Sequence, residues 1–447
     1  MIHGGLRYLE LYEFRLVAEA LAEREVLLKV AAHLVWPARF VMPHVPELRP
    51  RWMIRAGLFL YDHLARRASL PGSKAIRLDV PPYNSGIKAQ FRHGFIYSDC
   101  RVDDARLVVA NALDAQRLGA RILTRTVCTS AHRHDGFWRA QIKDADGTVT
   151  EVQAHAVVNA AGPWVKEVLN GHLHQPSRDN VRLVKGSHIV VPKVYDGDHA
   201  FILQNDDKRV VFMIPYEGKF TLIGTTDVQV EGDPGDPQAS EAEVEYLCRA
   251  VNRYLARPLT PADVTWRYAG IRPLYDDGSS DPSAVTRDYT LRVDDDQGAM
   301  AVLSVFGGKI TTYRRLAEHA LEKLAPYFPG LKPAWTDKSA LPGSEFAGSA
   351  PQAYERLRSR YPEIPEDALR LLFRRHGTLA SAVLGDASAA GDLGEHFGAG
   401  LYEREANYLV AHEWARTAED ILWRRTKTGL HLDATQKARV AQWLAER

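Results

Sequence analysis

Between residues 188 and 309, this 447-residue chain gathers side chains that could hold an anion and move a proton. His188 falls in the apolar run VKGSHIVV, Arg272 in YAGIRPLYDD, Arg287 in VTRDYT and Lys309 in VFGGKITTYRRLAEHAL. An imidazole facing a pocket can take a proton near neutral pH, whereas in an apolar strand it can equally be a satisfied core residue. Arginine presents a planar fork that matches phosphate or carboxylate, and singly each arginine here reads either as such a clamp or as a surface ion pair. Lys309 follows a Gly-Gly pair that opens a helix, where exposed N–H groups and the helix dipole favour an anion or an electron-rich ring oxygen. The other reading of that stretch is a plain strand–turn–helix. Thr225, Thr226 and Asp227 in LIGTTDV could orient a ligand or form a polar turn. A second cluster stands in MIHGGLRYLELYEF, where His3, Gly4, Gly5, Arg7 and Tyr8 read as a site loop leading into a helix. GxSxG, Walker A and HExxH patterns are absent from the sequence, as is any cluster of metal ligands.

The elements that must position these groups can be read from periodicity. LELYEFRLVAEALAEREVLLKVAAHL has apolar residues at helical spacing. SDCRVDDARLVVANALDAQRLGARILTRT reads as a helix capped by Asp103 or Asp104, closed by Gly119 and followed by a strand in ARILTRT. FWRAQIKD, a DADG turn and TVTEVQA give short alternating strands, and AVVNAAGPW is an apolar strand entering a small-residue turn. From about 180 to 295 the chain is β-rich, with a hairpin centred on Glu217-Gly218 and the helical stretch ASEAEVEYLCRAVNRYL. From about 343 onward it is mainly helical. The stretch from Lys29 to Arg67 holds seven Lys/Arg against Glu47 and Asp62. Within it, RWMIRAGLFLYDHLARR reads either as an amphipathic helix at a membrane surface or as a buried helix with snorkelling arginines.

Composition narrows the class. A net charge of +1 gives no basic excess of the kind nucleic-acid binders carry. Three scattered cysteines without a CxxC pair argue against a disulfide framework or a zinc site and fit a reducing compartment. No apolar run approaches the roughly 18 residues of a membrane span. On the residues alone, the chain reads as an α/β nucleotide-binding protein with a β-rich second domain and an anionic small-molecule ligand.

IHGGLRYLE, YSDCRVDDARLV, VNAAGPWV, KGSHIVVP, LIGTTDV, GIRPLYDD, TRDYTL and LSVFGGKITTYRRLAEHALEKL together resemble the bacterial aerobic FAD-dependent glycerol-3-phosphate dehydrogenases. The resemblance runs in order from Ile2 to EWARTAEDILWRRTKTG and so covers essentially the whole chain. It implies an FAD-binding Rossmann-like fold of the glutathione-reductase/D-amino-acid-oxidase type, with an antiparallel β-rich substrate domain and a C-terminal helical domain. The implied divisions are 1–30, 75–180 and 296–330 for FAD, 31–74 as a basic apolar membrane-contact insertion, 181–295 for substrate, and 343–447 for the helices. The implied reaction oxidises sn-glycerol 3-phosphate to dihydroxyacetone phosphate, with electrons passed through FAD to ubiquinone. The alternatives are an oxidase that uses O₂ and a non-catalytic remnant. By resemblance, Arg7, Tyr8, Thr226, Arg272, Arg287 and Lys309 surround the substrate. Arg272, Arg287 and Lys309 act as clamps, and His188 serves as base, unless an Arg-bound water or the flavin takes that role. His3, Gly4, Gly5 and Leu6 would pass beside the isoalloxazine, and Val127 would touch the adenine end. Ala160, Ala161 and Gly162 would lie on the pyrophosphate side, with Gly308, Lys309 and Ile310 at the pyrimidine edge. No metal is implied. The expected location is cytoplasmic, peripheral to the inner face of the cell membrane, with a homodimer as one arrangement.

In such folds a strand, a GxGxxG turn, a helix and an acidic strand end hold the pyrophosphate and ribose. The sequence has none of these; its one similar stretch, FGAGLY near Gly400, lies among C-terminal helices. The expectation is therefore of a chain that starts after this βαβ unit, through truncation or a late-assigned start. Its central sheet would lack a strand, and it would hold FAD poorly and be inactive.

Overall fold

The computed structural model describes residues 1–66, 68–177, 179–207, 209–276 and 288–447. A 3₁₀ turn at Leu6–Leu11 leads to helix α1 (Phe14–Val30), strand β1 (Val35–Pro43), helix α2 (Arg51–His63), strands β2 (Lys74–Arg77) and β3 (His93–Val102), and helix α3 (Asp104–Arg117). Strands β4 (Val127–His134), β5 (Phe137–Lys143) and β6 (Val149–Ala154) form a ribbon, followed by β7 (Val157–Asn159) and the single turn α4 (Val165–Glu167). The β-rich middle holds β8 (Val181–Pro192), β9 (Ala200–Gln204), β10 (Val210–Tyr216), β11 (Phe220–Gly224), β12 (Val228–Gln229), helix α5 (Glu241–Asn252) and β13 (Trp266–Tyr275). Strands β14 (Thr290–Asp296) and β15 (Ala299–Phe306) and helix α6 (Tyr313–Leu324) close this part. The remainder is α7 (Ala350–Arg360), α8 (Glu366–His376), α9 (Ala380–Leu384), the small hairpin β16 (His396–Gly398) and β17 (Leu401–Tyr402), α10 (Glu403–His412) and α11 (Ala434–Ala445).

Among the described residues, one mixed sheet runs in the order β12-β8-β11-β10-β9-β1-β3-β2, with β13 also paired to β8. Alternation along its strands gives it two apolar faces. Ile189, Val191, Phe201, Leu203, Val211, Met213 and Ile223 pack with Val244, Leu247 and Val251 of α5. On the other face, Phe40, Tyr97, Ile202 and Ile214 pack with Val17 and Leu21 of α1 and Ile54, Leu58 and Tyr61 of α2. A second sheet, β14-β15-β7, joins β15 to β7 in parallel, and Val158 on its outer strand is 51% exposed.

Local chemistry explains the element boundaries. Asp103 caps α3 by accepting the Arg106 N–H at 3.3 Å, and Gly119 takes a positive φ just beyond the helix, as the sequence predicts. Ser240 and Glu243 form a capping box on α5. The hairpin at Glu217-Gly218 joins β10 to β11 in the expected place.

Four expectations change. The long first helix is broken: residues 6–11 coil as a 3₁₀ turn, Tyr12 adopts φ 59°, and the α-helix begins only at Phe14. ARILTRT is not a strand; it finds no partner among the described residues, Arg125 has φ 55°, and pairing starts at Val127. The segment 31–74 is not one insertion, because β1 lies inside the large sheet between β9 and β3, leaving α2 as the part on the surface. The large sheet also takes in β2, which starts at the 74/75 boundary, and β3 from the 75–180 region assigned to FAD.

The C-terminal helices are tied to the rest by buried charge. Arg106 on α3 is bound by the Glu413 carboxylate, donates from Nε to the Arg375 carbonyl at 3.0 Å and from Nη2 to His376 Nδ1 at 3.2 Å. With Nδ1 accepting, His376 Nε2–H donates to Glu405 Oε1 at 2.9 Å, and Arg375 donates to Glu405 Oε2 at 2.7 Å. All five residues are buried. Burial raises the Glu413 pKa, but Arg106 outweighs it and holds the carboxyl well below the ordinary range. Breaking a buried pair leaves an uncompensated charge, so Arg106→Leu is expected to cost about 3–5 kcal/mol of stability. Thermal unfolding monitored by circular dichroism checks this: the variant should melt early, and an unchanged midpoint would show that the clamp carries no load.

Candidate active site

A cavity of about 950 Å³ opens on the α1/α2 face of the large sheet. The alternation that sends Ile189, Val191 and Ile223 into the α5 core turns His188, Leu222 and Gly224 toward this cavity. His188 pairs in register with Gly224 of β11 on one side and Tyr268 of β13 on the other. The histidine in an apolar strand is therefore a wall of the cavity rather than a core residue. Burial first, and then the charge of Arg272, lower its pKa to about 4, so the ring is neutral at pH 7.

Arg272 lies on the same strand as Tyr268 and lines the same cavity. Its Nη2 meets Asp227 Oδ1 at 2.8 Å and donates to the Thr226 carbonyl at 2.7 Å, which fixes the direction of the fork. Gly186 leaves room for it: a Cβ there would meet Arg272 Nη2 at 2.5 Å. The turn after β11 is anchored from behind. The Thr226 hydroxyl donates to Glu243 Oε1 at 2.9 Å and accepts the Ser187 N–H at 2.9 Å. Burial would raise the Glu243 pKa, but Lys185 at 2.9 Å and the hydroxyl donors bring it down to about 2. Thr226, expected at the substrate, thus faces α5, and its neighbours Thr225 and Asp227 reach the cavity.

The opening loop forms the adjoining wall. His3, Gly5, Leu6, Arg7 and Tyr8 all line the cavity. Gly5 sits at φ 76°, and a Cβ on it would strike the Tyr8 ring at 2.2 Å. A Cβ on Gly4 would come within 2.6 Å of Leu21. The Gly4 N–H donates to the Tyr61 hydroxyl at 2.9 Å, and Tyr61 donates to Asp99, which Arg24 holds at 2.8 Å. The loop meets the Gly307-Gly308 turn through His3 N–H to Thr311 Oγ1 at 3.3 Å and through Lys309 Nζ, 3.8 Å above the Tyr8 ring. Ile310 lines the cavity just before α6, whose N-terminus has no side-chain cap.

Most of the expected residues therefore meet. His3, Gly5, Leu6, Arg7, Tyr8, His188, Arg272 and Ile310 share the cavity wall, Lys309 joins it through Tyr8, and Gly4 and Gly308 shape the two loops. Val127 starts β4, and Ala160, Ala161 and Gly162 follow β7; none of these four lies on that wall. Arg287 lies outside the described residues. Tyr268, Gly224 and Gly186 were not foreseen; the isolated glycines inside strand patterns were the available sign of close approach. The wall fits the ring end of FAD: glycine backbone at the loop, and an uncapped helix start able to face a ring oxygen.

Comparison with known proteins agrees with this arrangement. The family model for FAD dependent oxidoreductases matches residues 1–314, and that for the C-terminal domain of alpha-glycerophosphate oxidase matches 334–447. Aerobic glycerol-3-phosphate dehydrogenase of Escherichia coli is 54% identical over 447 residues, all of this chain and 89% of the relative. D-erythritol 1-phosphate dehydrogenase of Brucella abortus is 49% identical over 445 residues, 99% of this chain and 88% of the relative. The FAD complex of glycerol-3-phosphate dehydrogenase from Bacillus halodurans shares the fold at a TM-score of 0.71 and 23% identity, over 95% of this chain and 84% of the other. With an FAD-binding family model over most of its length and a relative this similar over all of it, the chain belongs to the FAD-dependent oxidoreductases, among the glycerol-3-phosphate dehydrogenases, and its cofactor is FAD.

Proposed function

We propose that this chain oxidises sn-glycerol 3-phosphate to dihydroxyacetone phosphate. The observation that carries the reading is a neutral imidazole and a braced guanidinium, His188 and Arg272, on adjacent strands of one cavity wall. Arg272, Arg7 and Lys309 supply the charge that a phosphate dianion needs, and Arg287 joins them by its place in the family pattern. Tyr8 lines the cavity and carries the Lys309 ammonium 3.8 Å over its ring, which keeps that charge at the edge of the site. His188 accepts the proton of the substrate hydroxyl as the C2 hydrogen leaves with its electron pair. FAD, when bound beside the His3–Tyr8 loop, supplies the two-electron acceptor. The arriving dianion offsets the charge of Arg272, so the imidazole becomes a stronger base when substrate is present. The ring is already neutral above about pH 5, and it loses this role as pH falls through about 4.

A second substrate reading has support from the Brucella abortus relative, named for D-erythritol 1-phosphate. The recognised class is then a small polyol phosphate with a secondary alcohol near the phosphate. Dye-linked oxidation assays decide this. Glycerol 3-phosphate is expected to be turned over, and Arg272→Leu to lose about 2–4 kcal/mol of transition-state binding in kcat/KM. Faster turnover of erythritol 1-phosphate would move the assignment to the longer polyol, and full activity of the variant would refute the clamp.

The electron acceptor we propose is ubiquinone at a membrane surface. No described helix is long and apolar enough to cross a membrane. Helix α2 instead buries Ile54, Leu58 and Tyr61 and exposes Trp52 (70%), Met53, Phe59 (60%) and Leu60, beside Arg51 and Arg55. An exposed apolar stripe edged by arginines suits an anionic lipid surface. Flotation with anionic phospholipid vesicles should carry the protein up, and W52S/F59S should leave it at the bottom. Equal flotation of both would remove α2 from the membrane contact. Peroxide release under air at the rate of quinone reduction would favour an oxidase.

A further inference from the structure

We propose that His188 is held in its working orientation by a stack of aromatic rings running from Tyr268 through Trp266 to Trp423 in the C-terminal helices. These three are positioning residues, since they act through His188. The inference rests on the reading of His188 as the base.

The rings form one continuous column. His188 and Tyr268 stack at 5.0 Å between centroids with planes 7° apart. Tyr268 and Trp266 stack at 4.8 Å and 28°, and Trp266 and Trp423 at 4.5 Å and 17°. Trp266 and Tyr268 are two residues apart on β13 and so share a face, and Tyr268 is the register partner of His188. Both ends are fitted. A Cβ on Gly224 would come within 2.0 Å of the His188 ring, so the strand opens the seat that the imidazole occupies. A Cβ on Gly429 would lie 2.6 Å from Trp423, so that glycine lets its own backbone back the far indole, and Lys437 Nζ stands 5.5 Å from the same ring.

The column matters because the usual device is missing. A histidine that transfers a proton at one nitrogen is commonly oriented by a hydrogen bond at the other. His188 Nδ1 is buried with no hydrogen-bond partner among the described residues. The torsion that turns an imidazole is broad, so without a polar anchor only packing sets the plane of the ring. Offset stacking does this, and its far support comes from the C-terminal helices.

The test uses the full chain labelled with ¹³C-histidine. Ring-current shifts should move the His188 C–H signals away from free-histidine positions in the wild type. In Trp423→Ala those signals should broaden and move back toward free values, and Trp423→Phe should restore them. With FAD supplied, Trp423→Ala should lower kcat about tenfold and leave KM within about twofold, as expected for a misaligned rather than an absent base. Unmoved His188 signals in Trp423→Ala would overturn the proposal, as would a loss confined to KM. Wild-type turnover by His188→Asn would instead sink the base reading, and the NMR result would still decide whether the column orients the ring.

Discussion

Because successive residues of β8, β11 and β13 face opposite sides of the sheet, the packing of Ile189, Val191 and Ile223 against α5 forces His188, Gly224 and the Tyr268 strand toward the cavity. A slip of one residue in β8 would exchange its two sets and bury the imidazole in the α5 core. The rest of the site is arranged around this register. Thr226 and Glu243 fasten the turn that follows β11, which lets Asp227 aim Arg272. The opening loop then closes the wall from the α1/α2 side through Gly4, Tyr61 and Asp99.

Two buried polar networks hold the outer elements to this frame. One links α2 to the opening loop, because Tyr61 bridges the Gly4 amide and Asp99, with Arg24 compensating the carboxylate. The buried face of α2 and the loop that meets the cavity are thus joined directly by the Tyr61 side chain. The other is the Arg106–Glu413–His376–Glu405–Arg375 cluster, which seats the C-terminal helices on α3. That seating brings Trp423 onto Trp266, so the helical part packs against the strand that carries Tyr268 and Arg272 of the cavity wall.

Much of this was legible in the residues. The hairpin at Glu217-Gly218, the Asp103 cap and the strand–Gly-Gly–helix around Lys309 follow from local chemistry and stand where expected. Long-range pairing was not legible. Nothing in VWPARFVMP says that it enters the large sheet between β9 and β3, because a strand buried on both faces carries no alternation to mark its neighbours. ARILTRT has strand composition but finds no partner among the described residues, and composition alone cannot supply one. His188 was ambiguous for a related reason: which face of a strand meets a cavity is decided by what covers the other face. Which way Thr226 faces was hidden for the same cause: it turns to Glu243 of α5, and Thr225 and Asp227 line the cavity.

The central claim is that this cavity recognises the phosphate of a small polyol phosphate through Arg272 beside His188. Isothermal titration of glycerol 3-phosphate into the full chain tests it most directly. The account predicts saturable binding that glycerol fails to reproduce and that Arg272→Leu abolishes. Equal binding of glycerol, or undiminished binding by the variant, would contradict it.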